Sequence, residues 1–233
     1  MTWIKICGVT NLEDARAAVD AGADALGFVF YEKSPRYVEP KAARKIVAAL
    51  PLTIEKVGVF VNQTAASICA VADEVDLSGV QLHGDDEDPR VADLLIERRP
   101  RLKVFAGILM NDPHAKNAAM RWNARLVHAF LLDSGHGGQF GGSGKTFDWG
   151  ASGAIAEAIK SLGRVIVAGG LKPSNVAEAI GILKPWGVDV SSGVEAAPGK
   201  KDPEKVRAFV AAARKADAET RELEIPRRSR SSE

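Results

Sequence analysis

Residues 4–10 read IKICGVT, a short apolar strand that ends on Cys7 and Gly8 and turns at once toward a helix. The same grammar recurs down the chain. Runs rich in Val, Ile, Leu and Phe at 3–7, 25–30, 56–61, 79–82, 102–107, 126–132, 164–168 and 188–190 alternate with amphipathic stretches, at a spacing of about 27 residues per strand–helix unit. Most of these runs are continuously apolar rather than alternating, which a strand needs when helices cover its sheet. Eight such units predict an α/β fold, a single (β/α)8 barrel with a parallel core; a doubly wound open sheet uses the same alternation. In a barrel the strand carboxyl ends form the working face, so Cys7 is either a reactive thiol at a pocket or a small buried hydrophobe.

Helix signals separate the strands. Thr10 and Glu13 have the spacing of a capping box, followed by Leu12, Ala15 and Val19 on one face of a helix that ends near Gly22. Pro40, Pro113, Pro173 and Pro203 stand near the starts of later helices, where the missing backbone donor costs little. Beyond Lys215 the sequence ADAETRELEIPRRSRSSE loses apolar periodicity. The expected division is therefore a barrel over 1–215 and a charged, disordered tail over 216–233.

The chain has 233 residues, 46% of them apolar, and its 31 basic against 30 acidic side chains leave a net charge of +1. That near balance gives no global field for nucleic acid or an anionic membrane, so an anion has to be held locally. Cys7 and Cys69 are too few for a disulfide framework, and no zinc-type spacing of cysteines and histidines occurs. No charged leader precedes the first strand, and no apolar run approaches the roughly 18 residues of a membrane span. The expectation is a soluble cytoplasmic protein with no zinc site and no nucleic-acid or membrane partner.

Three glycine-bearing segments follow late strands: GGSGKTFDW, containing Gly142; AGGLKPSNV, containing Gly169 and Gly170; and SSGVE, containing Ser192 and Gly193. Glycine lets backbone amides approach an anion closely, and the loops after strands seven and eight are the usual phosphate site of a barrel. Each segment alone also reads as a turn. GGSGK is not a nucleotide-binding P-loop, because the first glycine of GxxxxGK[ST] falls on Gln139; the segment from Ser134 to Gly144 reads as a lid. Asp133, in LLDS after strand six, is either a turn residue or an acid facing Cys7 across the phosphate loops.

For proton transfer the thiol would need a cation nearby and the carboxyl burial or an anion. Arg36 in SPRYV, after the neighbouring second strand, is the expected cation, unless it is a surface arginine beside Tyr37. Gln81 and His83 in VQLHGDD are candidate substrate contacts, although a strand-end histidine is also a common structural feature; Asp85 reads as a turn or cap residue. Lys5 either enters the barrel or pairs with an acid there.

The set KICGVT, GFVF, SPRYV, VGVFVN, VQLHGDD, LLDS, GGSGKTFDW, AGGLKPSNV and VDVSSGVE, in order at successive strand ends through about residue 215, closely resembles the phosphoribosylanthranilate isomerases of tryptophan biosynthesis. The resemblance implies a cofactor-free Amadori rearrangement of N-(5-phosphoribosyl)anthranilate to 1-(2-carboxyphenylamino)-1-deoxyribulose 5-phosphate. It further implies Asp133 as general acid, Cys7 as general base, Arg36 on the anthranilate carboxylate and the late glycine loops on the phosphate. A phosphosugar is then the partner, bound by a monomer or homodimer. An isomerase of the related histidine-pathway aminoaldose and a noncatalytic phosphoribosyl sensor are the rival readings; the intact Cys7 and Asp133 speak against the sensor.

Overall fold

A computed structural model describes residues 1–83, 88–135 and 146–224. The chain forms β1 (Trp3–Cys7), α1 (Leu12–Asp20), β2 (Ala25–Val29), α2 (Pro40–Val47), β3 (Glu55–Phe60), α3 (Ala65–Val75), β4 (Gly79–Leu82), α4 (Arg90–Arg98), β5 (Lys103–Leu109) and α5 (Ala115–Met120). It continues with β6 (Val127–Asp133), α6 (Gly153–Lys160), β7 (Val165–Val167), α7 (Val176–Leu183), β8 (Gly187–Val190), a 3₁₀ turn (Ser192–Val194), the small antiparallel pair β9 (Glu195–Ala197) and β10 (Lys200–Lys201), and α8 (Pro203–Glu224). Strands β1 to β8 are parallel and closed, with β1 hydrogen-bonded to both β2 and β8. The open-sheet alternative is thereby excluded.

Alternation along each strand separates two kinds of core. In β1, Ile4 and Ile6 point outward and, with Leu26 and Phe28 of β2, are fully buried under the helices; each such side chain contributes about 1.5–3 kcal/mol by leaving water. Trp3, Lys5 and Cys7 lie on the opposite, inward face. The lower interior is apolar: Trp3, Phe105, Ala129, Leu131 and Ile166 pack together. Trp3 stacks on Phe105 and on Trp186, with ring centroids 5.6 and 5.2 Å apart, and His128 meets both partners edge-on. Lys5, Gln81 and Asp189 enter above this plug, and an ion pair of Lys103 with Glu55 at 2.6 Å closes the barrel below it.

The expected strands 3–7 and 79–82 keep their ends, and the others move by one or two residues. The most useful shift is at β6, which runs through Asp133 itself, so the acid is the strand's last residue and its inward direction is fixed by the pleat. The capping-box reading of α1 is corrected. Asn11 is the cap, its Oδ1 accepting from the Asp14 amide at 2.9 Å, while the Thr10 hydroxyl donates to the Gly199 carbonyl at 2.6 Å. Asn caps better than Thr, and here the Thr is already engaged by a loop.

Helix α8 continues past Lys215 to Glu224. Asp217 Oδ1 accepts from both the amide and the hydroxyl of Thr2 at 2.8 Å, and Arg214 bonds the carbonyl of Thr2 and, at 2.8 Å, the carboxylate of Asp24. The last helix is thus tied to the start of the first strand.

Candidate active site

One cleft opens at the carboxyl ends of the strands, and its lining includes Cys7, Arg36, Gln81, His83, Asp133, Gly169, Gly170, Asp189 and Ser192. The two residues singled out for proton transfer therefore face one cavity, and both are almost fully buried. Gly193 sits one residue behind this lining, in the 3₁₀ turn. Gly142 and Asp85, and all of the segment read as a lid beyond Gly135, lie outside the described residues.

Room for the thiol is made by glycine. Gly27 is the register partner of Cys7, and a Cβ there would come 2.6 Å from Sγ. Gly107 does the same for His83, whose Nδ1 would be 2.6 Å from an added Cβ. His83 Nε2 in turn lies 3.8 Å from Asp133 Oδ2.

Beneath the thiol, Lys5 both enters the barrel and pairs with an acid. Its Nζ is 3.1 Å from Asp189 Oδ2 and donates to Gln81 Oε1 at 2.6 Å. An ammonium only donates, so the carbonyl oxygen of Gln81 is committed to Lys5 and its amide remains for a ligand. Burial works to lower the Lys5 pKa, but the carboxylate of Asp189 and the neighbouring Cys7 more than reverse this, and the ammonium is held above its ordinary value. Burial pushes the Cys7 thiol up; Lys5 is the strongest influence in the other direction, followed, after the opposing charge of Asp189, by Lys201 and Arg36.

That order corrects the expectation for Arg36, which is not the chief cation of the thiol. Arg36 forms a bidentate pair with Glu195, Nε to Oε1 and Nη2 to Oε2, both 2.8 Å. Lys201 donates to the same Glu195 Oε1 at 3.0 Å and to the Ser191 carbonyl at 3.2 Å. The path of Arg36 into the cleft crosses Gly8, where φ is +76° and a Cβ would meet Arg36 Cδ at 2.6 Å. A fork held along one edge by two hydrogen bonds keeps its plane fixed and presents its other edge to a planar anion.

The loops after β7 and β8 pack on one another. Gly169 and Gly170 both have left-handed φ, +75° and +65°. Asn175 fastens the first loop by donating to the Gly170 carbonyl at 3.1 Å. At Gly193 a Cβ would lie 1.8 Å from the Leu171 carbonyl oxygen, so only glycine allows the two backbones this approach.

Sequence reading missed Asp189, Glu195 and Lys201. The signal for Asp189 was available, since a lone carboxylate between Val188 and Val190 has to point into the barrel. Glu195 stood inside a motif quoted for its glycine. Its partner Arg36 is far away in sequence, and nothing local announced the pair.

Residues 4–212 match the model of the N-(5'-phosphoribosyl)anthranilate isomerase family. The chain belongs to this family. An N-(5'-phosphoribosyl)anthranilate isomerase of Geobacter sp. (strain M21) is 48% identical over 215 residues, covering 92% of this chain and 99% of the relative. A solved phosphoribosyl anthranilate isomerase in complex with reduced 1-(o-carboxyphenylamino)-1-deoxyribulose 5-phosphate superposes with a TM-score of 0.79 at 40% identity, covering 92% of this chain and all of that one. Monomers generated from the dimeric isomerase of Thermotoga maritima match to the same degree, again with a TM-score of 0.79 and 40% identity over 92% of this chain and 100% of that one. The protein is accordingly a phosphoribosylanthranilate isomerase of tryptophan biosynthesis built on the (β/α)8 barrel.

Proposed function

We propose that this isomerase works by acid–base catalysis, with Asp133 as general acid and Cys7 as general base in one cleft. Asp133 protonates the ring oxygen of the ribose as the C1–O bond breaks and the anilino nitrogen's electron pair forms the Schiff base. The Cys7 thiolate then takes the C2 proton, giving an enolamine. Loss of the C2 hydroxyl proton and protonation at C1 complete the ketone. The observation that carries this reading is the lining of one cavity by both buried groups between two glycine loops.

The remaining assignments follow from position. Gly169, Gly170, Ser192 and Gly193 hold the phosphate; Gly142, also expected there, lies outside the described residues. Arg36 receives the anthranilate carboxylate, and His83 and the Gln81 amide contact the substrate between them. The reaction needs only proton transfers, so its chemistry calls for neither a metal nor a redox cofactor. Residues 1–215 carry the whole of it, and 216–233 take no part.

Among the described residues no helix is long and apolar enough to cross a membrane. A phosphorylated biosynthetic intermediate as substrate and two free cysteines support a cytoplasmic setting. The dimeric relative supports a homodimer beside the monomer, and the nearly balanced charge speaks against nucleic acid as a partner.

The test is rescue of a tryptophan-requiring strain that lacks this isomerase, together with turnover of the purified Cys7→Ala and Asp133→Ala variants. Each substitution removes a few atoms at a strand end. The expected result is a folded protein with turnover lowered about 10²- to 10⁴-fold. Unchanged turnover in either variant removes that residue from the mechanism.

A further inference from the structure

Asp189 is 7% exposed and faces the cleft from β8. Lys5 takes one of its oxygens: the two residues are register partners across the β1–β8 pair, and Nζ sits 3.1 Å from Oδ2. The other oxygen, Oδ1, is buried and has no hydrogen-bond partner, and the same is true of Ser191 Oγ two residues on. A buried carboxylate oxygen left unpaired costs the protein much of its desolvation penalty. Such a cost in a cleft is offset when a ligand brings the missing donor.

The position of that oxygen narrows the donor. Asp189 lies on β8, just before the second phosphate loop and beside β1, which carries Cys7, so it faces the sugar of a phosphosugar held by that loop, and the groups there that can donate are its hydroxyls. We propose that Asp189 is a substrate contact whose free Oδ1 accepts a hydrogen bond from the sugar's C2 or C3 hydroxyl, while Lys5 fixes the carboxylate's plane. This deepens the reading of the cleft given above and rests on it. The contact lies next to the carbon that loses its proton to Cys7. It makes the enzyme selective for a sugar carrying these hydroxyls, because without them an anionic acceptor stays buried and unpaired.

Binding of two unreactive ligands to the full chain tests this. One is the reduced product, 1-(o-carboxyphenylamino)-1-deoxyribulose 5-phosphate reduced at C2; the other is its counterpart lacking the C2 and C3 hydroxyls. In Asp189→Asn the Lys5 ammonium holds the amide oxygen, so an NH2 donor occupies the place of Oδ1. The hydroxylated ligand is expected to bind about tenfold more weakly, with the deoxy ligand changed less than about twofold. The double variant Lys5→Met, Asp189→Leu removes both charges together and leaves no lone buried ion. It is expected to lose about 10- to 100-fold for the hydroxylated ligand alone. Equal weakening of both ligands, or no weakening of either, overturns the contact. Failure of the reduced product to bind the unaltered protein would overturn the sugar-phosphate reading as well, so the two failures are distinguishable.

Discussion

Gly27 stands opposite Cys7 across the β1–β2 pair, close enough that a Cβ at position 27 would lie 2.6 Å from the sulfur and 3.0 Å from the Cys7 Cα. The thiol keeps its place because its neighbour has no side chain. Gly27→Ala must push Sγ out of line or spread the two strands, and such overpacking costs about 1–3 kcal/mol. We expect turnover to fall by about 10²-fold or more, since small misplacements of a reacting group are that costly. Steady-state kinetics and thermal unfolding of the one variant check both halves.

The Cys7 thiol sits above its ordinary pKa because burial outweighs Lys5, Lys201 and Arg36. A base with a raised pKa is deprotonated only in the alkaline range, so kcat/KM should climb as pH rises toward that value and fall away on the acid side. Lys5→Gln removes the strongest opposing influence and should shift the ascending limb to higher pH. A profile unchanged in this variant would show that Lys5 does not act on the thiol.

Glu195 is a positioning residue for Arg36. Its pKa is lowered because the Arg36 and Lys201 contacts outweigh burial. Glu195→Gln keeps the size but loses the bidentate anion, and the guanidinium fork is then free to turn. KM for the substrate should rise about tenfold with kcat much less affected, as for an interaction made equally in the ground and transition states. Arg36→Ala should raise KM further, and the double variant should add little to Arg36→Ala if Glu195 acts only through Arg36.

At the other end of the barrel, His128 has its pKa lowered from 6.5 to about 4 by burial and by the charges of Lys103 and Arg164. The unfolded chain takes up the proton first as pH falls. Stability from this residue is therefore complete above about pH 6.5 and is lost progressively down to pH 4, the unfolded state binding more protons throughout that window. The ring is only partly buried, so the loss is about 1–2 kcal/mol after allowance for solvent screening. Urea unfolding across this range should show the slope in the natural protein and a flatter course in His128→Gln.

The barrel was legible because its evidence is local and repeated. Continuous apolar runs such as 25–30 and 56–61 state burial on both faces, and Cys7 and Asp133 could be placed because a strand's carboxyl end is visible in the sequence. What the sequence hid was pairing between distant strands. Lys5 was noticed without its partner, and Arg36 was given to the thiol because the second strand neighbours the first. The carboxylate that actually holds Arg36 comes from a β9 strand no periodicity announced. The cap of α1 was misread for a related reason, since a loop carbonyl at Gly199 engages the Thr10 hydroxyl.

Lys5 on the first strand meets Asp189 on the last strand of the barrel, and Arg214 and Asp217 fasten Thr2 from the final helix. The barrel is thus a ring fastened where its two chain ends meet, and a truncation at the carboxyl end would be felt at the first strand.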